Sequence, residues 1–216
     1  MDALNSIVYF VESGGRVAKI IDAGQEVQEE VVGGNCVEAL CFDQQVCYWI
    51  EENGGVGSSE RGAIGKVETG LSDSSNIWSE LLCCGQGLLV ATCWKQLGNK
   101  AKLNLVKTEA LEKLSTLTIS LSQAETTIIN SFPLVRSLCF SLAKATYIIF
   151  FRSHSYADLV AITPNLKLLL VASRRLTQGL SERVPIFSAV ALNFGQYVQI
   201  LFGSRSSLRS FTLNTA

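Results

Sequence analysis

The sequence predicts an all-β protein with a β-propeller architecture, in which small antiparallel sheets, the blades, surround a common axis. A block with the same internal order returns five times along the 216 residues. Each copy contains an apolar strand, a tight turn, an aromatic-rich strand, a polar loop and a further strand. A sheet of this size cannot bury both of its faces alone, so repeated sheets stack into one radial domain. We therefore expect residues 1–216 to form a single propeller domain.

The repeats assign strands that we label A to D within each blade. Strand periodicity supports them, since Leu117, Ile119 and Leu121 alternate with polar residues. The first blade has predicted strands B, C and D at 6–13, 16–22 and 26–32, and the second has A to D at 37–43, 46–52, 63–69 and 75–77. Strands A to D are predicted at 78–84, 88–94, 101–107 and 116–122 in the third blade and at 135–141, 146–151, 158–163 and 166–172 in the fourth. The fifth blade has predicted strands A to C at 186–193, 197–202 and 208–214. The Gly/Ser-rich segment 53–62 is predicted to be the B–C loop of the second blade.

The repeats begin at a B strand and end at a C strand. Closed propellers combine their first and last strands in one blade, which removes exposed sheet edges. Strands B, C and D at one end and A, B and C at the other do not add up to one four-stranded sheet. The sequence therefore predicts about five recognisable four-stranded blades, truncated in mid-blade at both ends.

Composition excludes several classes of protein. Apolar residues make up 48% of the chain and charged residues 17%, so disorder is excluded. The net charge of −1 offers no basic surface for nucleic acid or for an acidic membrane. The apolar stretch 159–172 is interrupted by Pro164, Asn165 and Lys167, whereas a membrane-spanning helix needs about 20 apolar residues. We expect no membrane insertion within this chain.

Seven cysteines are present, at positions 36, 41, 47, 83, 84, 93 and 139. None forms a CxxC motif, which argues against a zinc ribbon or a thioredoxin-type centre. The adjacent pair Cys83 and Cys84 would point to opposite faces of a strand. We expect buried free thiols, with a bridge that involves Cys36, Cys41 or Cys47 as the alternative.

One repeat resembles a known receptor repeat. The segment Val37-EALCFD-QQ-VCYWIEE is similar to the YWTD repeat of low-density-lipoprotein-receptor-type six-bladed propellers. Asp43, Tyr48 and Trp49 match that repeat, whereas Ile50 and Glu51 stand where Thr and Asp are typical. The resemblance implies a segment of a receptor-type ectodomain that binds a protein ligand. It also implies an extracellular location, if this chain is an excerpt of a longer one.

A WD40-like propeller is the alternative. The phrase Val135-RSLCFS is similar to the A strand of WD repeats, although no blade has the Trp-Asp ending or the upstream Gly-His. This resemblance implies a cytoplasmic scaffold in a multiprotein complex. The N-terminus carries no signal peptide pattern, which fits either an intracellular protein or an excerpt of a secreted one.

The sequence lacks the motifs of a catalytic or cofactor site. His154 is the only histidine, and there is no GxSxG nucleophile elbow. The cluster Gly54-Gly55-Val56-Gly57 has Glu60 where a dinucleotide motif needs its third glycine. Scattered acids with one histidine make no metal ligand set. We expect a protein that is not an enzyme and that uses no cofactor and no metal; an enzyme with a metal in the propeller channel is the third hypothesis.

Binding residues are expected on the B–C turns, because these turns gather on one face of a propeller and are held by rigid strands. Arginine and tyrosine are typical anchors of protein interfaces. The candidate ligand-binding residues are Arg61, Lys100, Arg152, His154, Tyr156 and Arg205. Trp49, Trp78 and Trp94 lie in predicted strands, where packing between blades is the expected role and a ligand platform the alternative.

Overall fold

The structure is a computed structural model that describes most of the chain. The described residues are 8–11, 17–21, 26–30, 37–43, 46–60, 63–67, 71, 76–95, 99–123, 125–126, 136–142, 145–153, 156–176, 188–194, 197–203 and 208–214.

These residues form five antiparallel sheets, each built from strands that are consecutive in the sequence. The first sheet contains β1 (Val8–Val11), β2 (Val17–Ile21) and β3 (Glu26–Glu30). The second contains β4 (Val37–Asp43), β5 (Val46–Glu51), β6 (Val56–Glu60) and β7 (Ala63–Val67). The third contains β8 (Asn76–Gly85), β9 (Leu88–Lys95), β10 (Lys100–Lys107) and β11 (Glu112–Ser120). The fourth contains β12 (Arg136–Leu142), β13 (Ala145–Ser153), β14 (Tyr156–Ile162) and β15 (Leu168–Arg175). The fifth contains β16 (Ser188–Asn193), β17 (Tyr197–Gly203) and β18 (Leu208–Asn214).

The sheets are arranged as blades. The first strands of consecutive sheets lie side by side, β4 against β8, β8 against β12 and β12 against β16, and β1 of the first sheet contacts β4. Each sheet therefore begins at the inside of the array and proceeds outwards through hairpins. The all-β, blade-by-blade architecture expected from the repeats is confirmed.

Tight turns make these hairpins possible. Between β8 and β9, Gln86 and Gly87 both have positive φ angles, of 55° and 71°. Two such residues in succession form the type of turn whose twist matches that of an antiparallel hairpin. Gly85 and Leu88 pair on either side of this turn.

The hydrophobic core lies between the blades. The middle strand β9 is apolar at every position except Thr92 and Lys95, and its apolar side chains face the two neighbouring blades in alternation. Val90 and Trp94 belong to the cluster shared with the fourth sheet, whereas Leu89 and Cys93 belong to the cluster shared with the second. Strand β13 behaves in the same way, with its alternate residues in the clusters shared with the third and fifth sheets. Both faces of a middle strand are buried, which explains why these strands are apolar at nearly every position.

The second blade differs from the prediction. Segment 53–62 was expected to be a long B–C loop, but Val56–Glu60 is strand β6, the third strand of the sheet, and the loop between β5 and β6 is only 52–55. The predicted C strand therefore overlaps β7, which is the fourth strand, and predicted strand D at 75–77 overlaps the start of β8. The physical reason is Trp49, whose indole covers Gly57 so closely that a Cβ there would lie 2.2 Å from it. A contact between paired strands thus makes a strand of a segment with low strand propensity.

The end of the third blade also differs from the prediction. The fourth strand of this blade was predicted at 116–122, but β11 already begins at Glu112. Helical residues occur at 123 and 125–126. Ser122 and Glu125 form a capping box there: the Ser122 N–H donates to Glu125 Oε2 (2.7 Å) and the Glu125 N–H donates to Ser122 Oγ (3.3 Å).

Candidate functional site

The topology brings the B–C turns and the connections between blades to one end of the array. Successive strands of each sheet are antiparallel, so the second strand ends where the third begins and where the fourth ends. We call this end the B–C face. The described charged and aromatic residues at or next to strand ends on this face include Glu38, Glu52, Lys95, Lys100, Tyr156, Arg174 and Arg175.

Two of the six predicted binding residues have described side chains on this face. Lys100 is the first residue of β10 and is exposed, directly opposite Lys95 at the end of β9. Tyr156 is the first residue of β14, half-buried and opposite Arg175 at the end of β15. The structure therefore brings Lys100 and Tyr156 to the same end of neighbouring blades.

The other four predicted residues are described partly or not at all. Arg152 is in strand β13, and its side chain lies outside the described part. His154 and Arg205 also lie outside the described residues, in the sequence between the second and third strands of their blades. Arg61 lies outside them too, but β6 ends at Glu60 and β7 begins at Ala63. The prediction that Arg61 stands on a B–C loop is wrong, because the flanking strands are the third and fourth of the sheet.

The B–C turn of the second blade is held by its own hydrogen bonds. Asn53 Oδ1 accepts from the Gly55 N–H at 2.9 Å. The Glu51 N–H donates to the Gly55 carbonyl oxygen (2.9 Å), and the Gly54 N–H donates to the Glu51 carbonyl oxygen (2.8 Å). Gly54 has a φ of 84°, which favours glycine. This turn presents the exposed side chains of Glu52 and Asn53 from a fixed backbone.

The B–C face is electrostatically divided. Its acidic part is on the second blade, where burial and the nearby charge of Glu52 raise the pKa of Glu38. Its basic part is on the third and fourth blades, where Lys95, Lys100, Arg174 and Arg175 lie. Sequence reasoning missed Glu38, Arg174 and Arg175, because it collected turn residues and left out the ends of the first and fourth strands, which reach the same face.

Arg174 also connects two blades. Its guanidinium carbon lies 5.1 Å from the ring centre of Phe211, on strand β18 of the next blade. Phe211 is buried and packs against Phe202 at a ring separation of 5.9 Å. A guanidinium above an aromatic face is attracted to it, so Arg174 is held in place while remaining exposed. This part of the B–C face is therefore preorganised.

The buried polar contacts between strands are structural. Glu80 Oε2 on β8 accepts from the N–H and the hydroxyl of Ser137 on β12, at 2.5 and 2.6 Å. Asp158 is fully buried in β14, and its Oδ1 accepts from the Ser173 hydroxyl at 2.5 Å. These bonds join neighbouring blades or neighbouring strands. The described residues contain no group of three or more His, Cys, Asp or Glu side chains arranged to hold a metal ion.

The three tryptophans have a packing role. Trp49, Trp78 and Trp94 are 0%, 4% and 3% exposed and belong to core clusters. A ligand cannot stack on rings that neighbouring side chains already cover. Packing between blades is confirmed for Trp78 and Trp94, whose clusters contain residues of neighbouring blades, whereas the cluster of Trp49 contains residues of its own blade.

The cysteines in the described part are free thiols. Cys47, Cys84 and Cys93 are buried, and Cys41, Cys83 and Cys139 are half-buried. Neither Cys41 nor Cys47 is bridged in this structure, and Cys36 lies outside the described residues.

Solved structures share this architecture at low sequence identity. A structure of KlAtg21 in complex with the coiled coil of AgAtg16 has a TM-score of 0.65 and 7% identity, and the match covers 98% of this chain and 64% of that one. The computationally designed Ika8 protein has a TM-score of 0.61 and 13% identity over 96% of this chain and 56% of that one. The β-propeller domain of Myceliophteria thermophila Cps50 (Swd1) has a TM-score of 0.59 and 10% identity over 98% and 70%.

The chain thus spans from 56% to 70% of the length of these similar structures. No family model and no curated protein matches the sequence. Within the described ranges, no helix is long and apolar enough to cross a membrane. The packing of the sheets and the similarity to solved structures together establish the fold: the chain is an all-β β-propeller.

Proposed function

We propose that this chain is a non-enzymatic protein-binding module whose B–C face binds a protein partner through an acidic patch on that partner. The observation that carries the proposal is the group of cationic side chains at one end of two neighbouring blades. Lys100 begins β10, and Arg174 and Arg175 end β15. All three side chains are exposed and stand on strands rather than on long loops.

The geometry suits a protein ligand for two physical reasons. Cationic groups on rigid elements lose little conformational freedom on binding, so more of the interaction energy appears as affinity. The acidic second blade, with Glu38 and Glu52, would repel an acidic partner and so orient it towards the basic blades. Tyr156 adds an aromatic anchor of the kind that is enriched in binding hot spots.

For the class of propeller, we propose a YWTD-like segment of a receptor-type ectodomain. Its support is the repeat around Asp43, Tyr48 and Trp49. The structure adds one reason for the Trp: its indole packs over Gly57 on the paired strand β6. In this case the protein ligand would be extracellular.

The second candidate is a cytoplasmic WD40-like scaffold in a multiprotein complex. It is supported by the phrase that begins at Val135, by the free thiols, which are typical of a reducing compartment, and by the similar structures. One of those, KlAtg21, was solved in a complex with the coiled coil of another protein.

The test compares two double variants with the same change of formal charge. Lys100→Glu with Arg175→Glu reverses charge on the B–C face. The control, Lys113→Glu with Lys167→Glu, changes two exposed residues at the opposite end of the same two blades. Tagged wild-type protein and both variants are incubated separately with cell lysate and with conditioned medium, and captured proteins are quantified by mass spectrometry.

We expect a partner that the wild type and the control both retain. Its affinity for the B–C face variant should be at least tenfold lower, which corresponds to a loss of roughly 1.4 kcal/mol or more in binding free energy. Binding should then be reproduced with the purified partner and should weaken with salt. A partner found in medium supports the ectodomain, and one found in lysate supports the scaffold. Equal retention by both double variants would remove the B–C face as the binding site.

A further inference from the structure

Two thiols of consecutive blades are in direct contact on the inner strands. Cys41 lies on β4 of the second blade and Cys83 on β8 of the third, and their sulfur atoms are 2.8 Å apart. The two residues are 42 positions apart in the sequence, so only the packing of one blade on the next brings them together. Both side chains are half-buried.

A second pair repeats the arrangement across the next blade boundary. Cys84, the neighbour of Cys83 on β8, is hydrogen-bonded with Cys139 on β12 of the fourth blade. Consecutive residues of a strand point to opposite sides, so β8 presents one thiol to each neighbouring blade. Pairs of thiols therefore lie at both boundaries of the third blade.

We propose that Cys41 and Cys83 are a modification site at which a small-molecule disulfide introduces a covalent bond between the second and third blades. The sulfur atoms need to approach by less than 1 Å to reach the roughly 2.05 Å of a disulfide bond. The strands that carry them already lie side by side. Little rearrangement of the inner strands is thus required.

The chemistry is a two-step exchange with oxidised glutathione as the representative small-molecule disulfide. The thiolate of one cysteine attacks a glutathione sulfur; the glutathione S–S bond breaks, and one reduced glutathione leaves. The thiolate of the other cysteine attacks the protein sulfur of this mixed disulfide, forms the Cys41–Cys83 bond and releases the second glutathione. The two protein sulfurs lose two electrons, glutathione disulfide gains them, and the two thiol protons end on the released glutathiones.

The local environment makes this exchange slow at neutral pH. Hydrogen bonding with Cys83, together with burial, raises the pKa of the Cys41 thiol. Because the thiolate is the reacting form, the rate of exchange through Cys41 should rise about tenfold per pH unit while its thiolate remains a small fraction. The site thus resists brief exposure to a disulfide and responds to a sustained one.

The test uses the intact chain in a buffer of reduced and oxidised glutathione at about pH 8, where exchange is faster. Remaining thiols are blocked by alkylation, and the protein is digested with trypsin without reductant. The Cys41–Cys83 bond joins the tryptic peptide that ends at Arg61 to the one that ends at Lys95. We expect this linked species, and we expect it to disappear on addition of dithiothreitol.

Both tryptic peptides contain more than one cysteine, so single variants are needed: Cys41→Ala should abolish the link through the peptide that ends at Arg61, and variants at Cys83 and Cys84 identify the cysteine on the other peptide. Cys83→Ala should abolish the link to the peptide that ends at Arg61, whereas the matched neighbour variant Cys84→Ala should retain it. Circular dichroism of the variants before oxidation confirms that each is folded. A link that persists in Cys41→Ala or Cys83→Ala, that is lost in Cys84→Ala, or that forms only after unfolding in urea would overturn the proposal.

The Cys41–Cys83 bond should also stabilise the folded protein against heat. Closing a loop of this length constrains the unfolded chain, and we expect the melting temperature to rise by roughly 10 °C. The rise should be reversed by dithiothreitol and absent in Cys83→Ala. A folded wild-type protein that keeps all seven thiols in an excess of oxidised glutathione would likewise refute the site.

Discussion

The close approach of the Trp49 indole to Gly57 gives the sharpest prediction. Gly57 on β6 pairs with Trp49 on β5, and a Cβ built at Gly57 would lie 2.2 Å from two ring carbons of the indole and 2.5 Å from its nitrogen. Ordinary contact begins at about 3.4 Å, so Gly57→Ala forces an overlap of more than 1 Å. Trp49 is 0% exposed, so the ring cannot move aside without disturbing the core.

The expected loss of stability in Gly57→Ala follows from the cost of overpacking a core. An added group in a packed core costs about 1 to 3 kcal/mol, and alanine regains part of this, up to about 1 kcal/mol, because it is better than glycine in a strand. Since the obstacle is a rigid buried ring, we expect a net loss of about 2 to 3 kcal/mol. For a chain of this size this lowers the melting temperature by roughly 4 to 12 °C.

A matched control and a double-mutant cycle make the prediction specific. Gly85→Ala places its Cβ in open space, with nothing within 4 Å, but at a φ of 71°, and should cost only about 1 kcal/mol. Trp49→Phe removes the indole atoms that Gly57→Ala would meet, so the two substitutions should show a coupling energy above about 1 kcal/mol in urea unfolding. A Gly57→Ala variant as stable as Gly85→Ala, or two additive substitutions, would refute the reasoning.

Three further expectations concern the core, a blade contact and pH. Phe150→Ala leaves a cavity at a fully buried position between the third and fourth blades and should lower the free energy of unfolding by about 3 to 5 kcal/mol in urea titration; a loss below 1 kcal/mol would contradict the packing. Ser137→Ala removes the hydroxyl that donates to Glu80 and should cost about 1.5 to 3 kcal/mol, whereas an unchanged urea midpoint would show that the bond is not formed. Burial and the charge of Glu52 raise the pKa of Glu38 in the folded state, so the stability that Glu38 contributes is complete below the glutamate range of about 4 to 4.5 and is lost as the pH rises through the folded pKa. Glu38→Gln should therefore flatten the fall in melting temperature above that range, and an unaltered pH profile would contradict this.

The fold was predictable because the signal is local and repeated. The runs that became β9 and β13 are apolar at almost every position, and tight turns such as the one at Gln86 and Gly87 separate strands of similar length. The spacing of apolar residues and the residue types of tight turns are properties of neighbouring residues, so they can be read without knowledge of the tertiary structure.

The candidate site was only partly predictable. Lys100 and Tyr156 follow predicted B–C turns and could be placed on one face from the strand order alone. Arg174, Arg175 and Glu38 belong to the same face, but recognising them required knowing where the first and fourth strands of each blade end. The position of Arg61 could not be predicted, because it depended on whether segment 53–62 was loop or strand.

The amino-acid order by itself determined the all-β class, the number of recognisable sheets and most strand boundaries, since these depend on periodicity and on turn residues a few positions apart. Only the tertiary structure decided which residues meet: Trp49 over Gly57 on the paired strand, which converts a Gly/Ser segment into strand β6, and Cys41 beside Cys83 on the next blade. The first contact depends on strand pairing and the second on how two sheets pack, and no local pattern of the sequence encodes either distance.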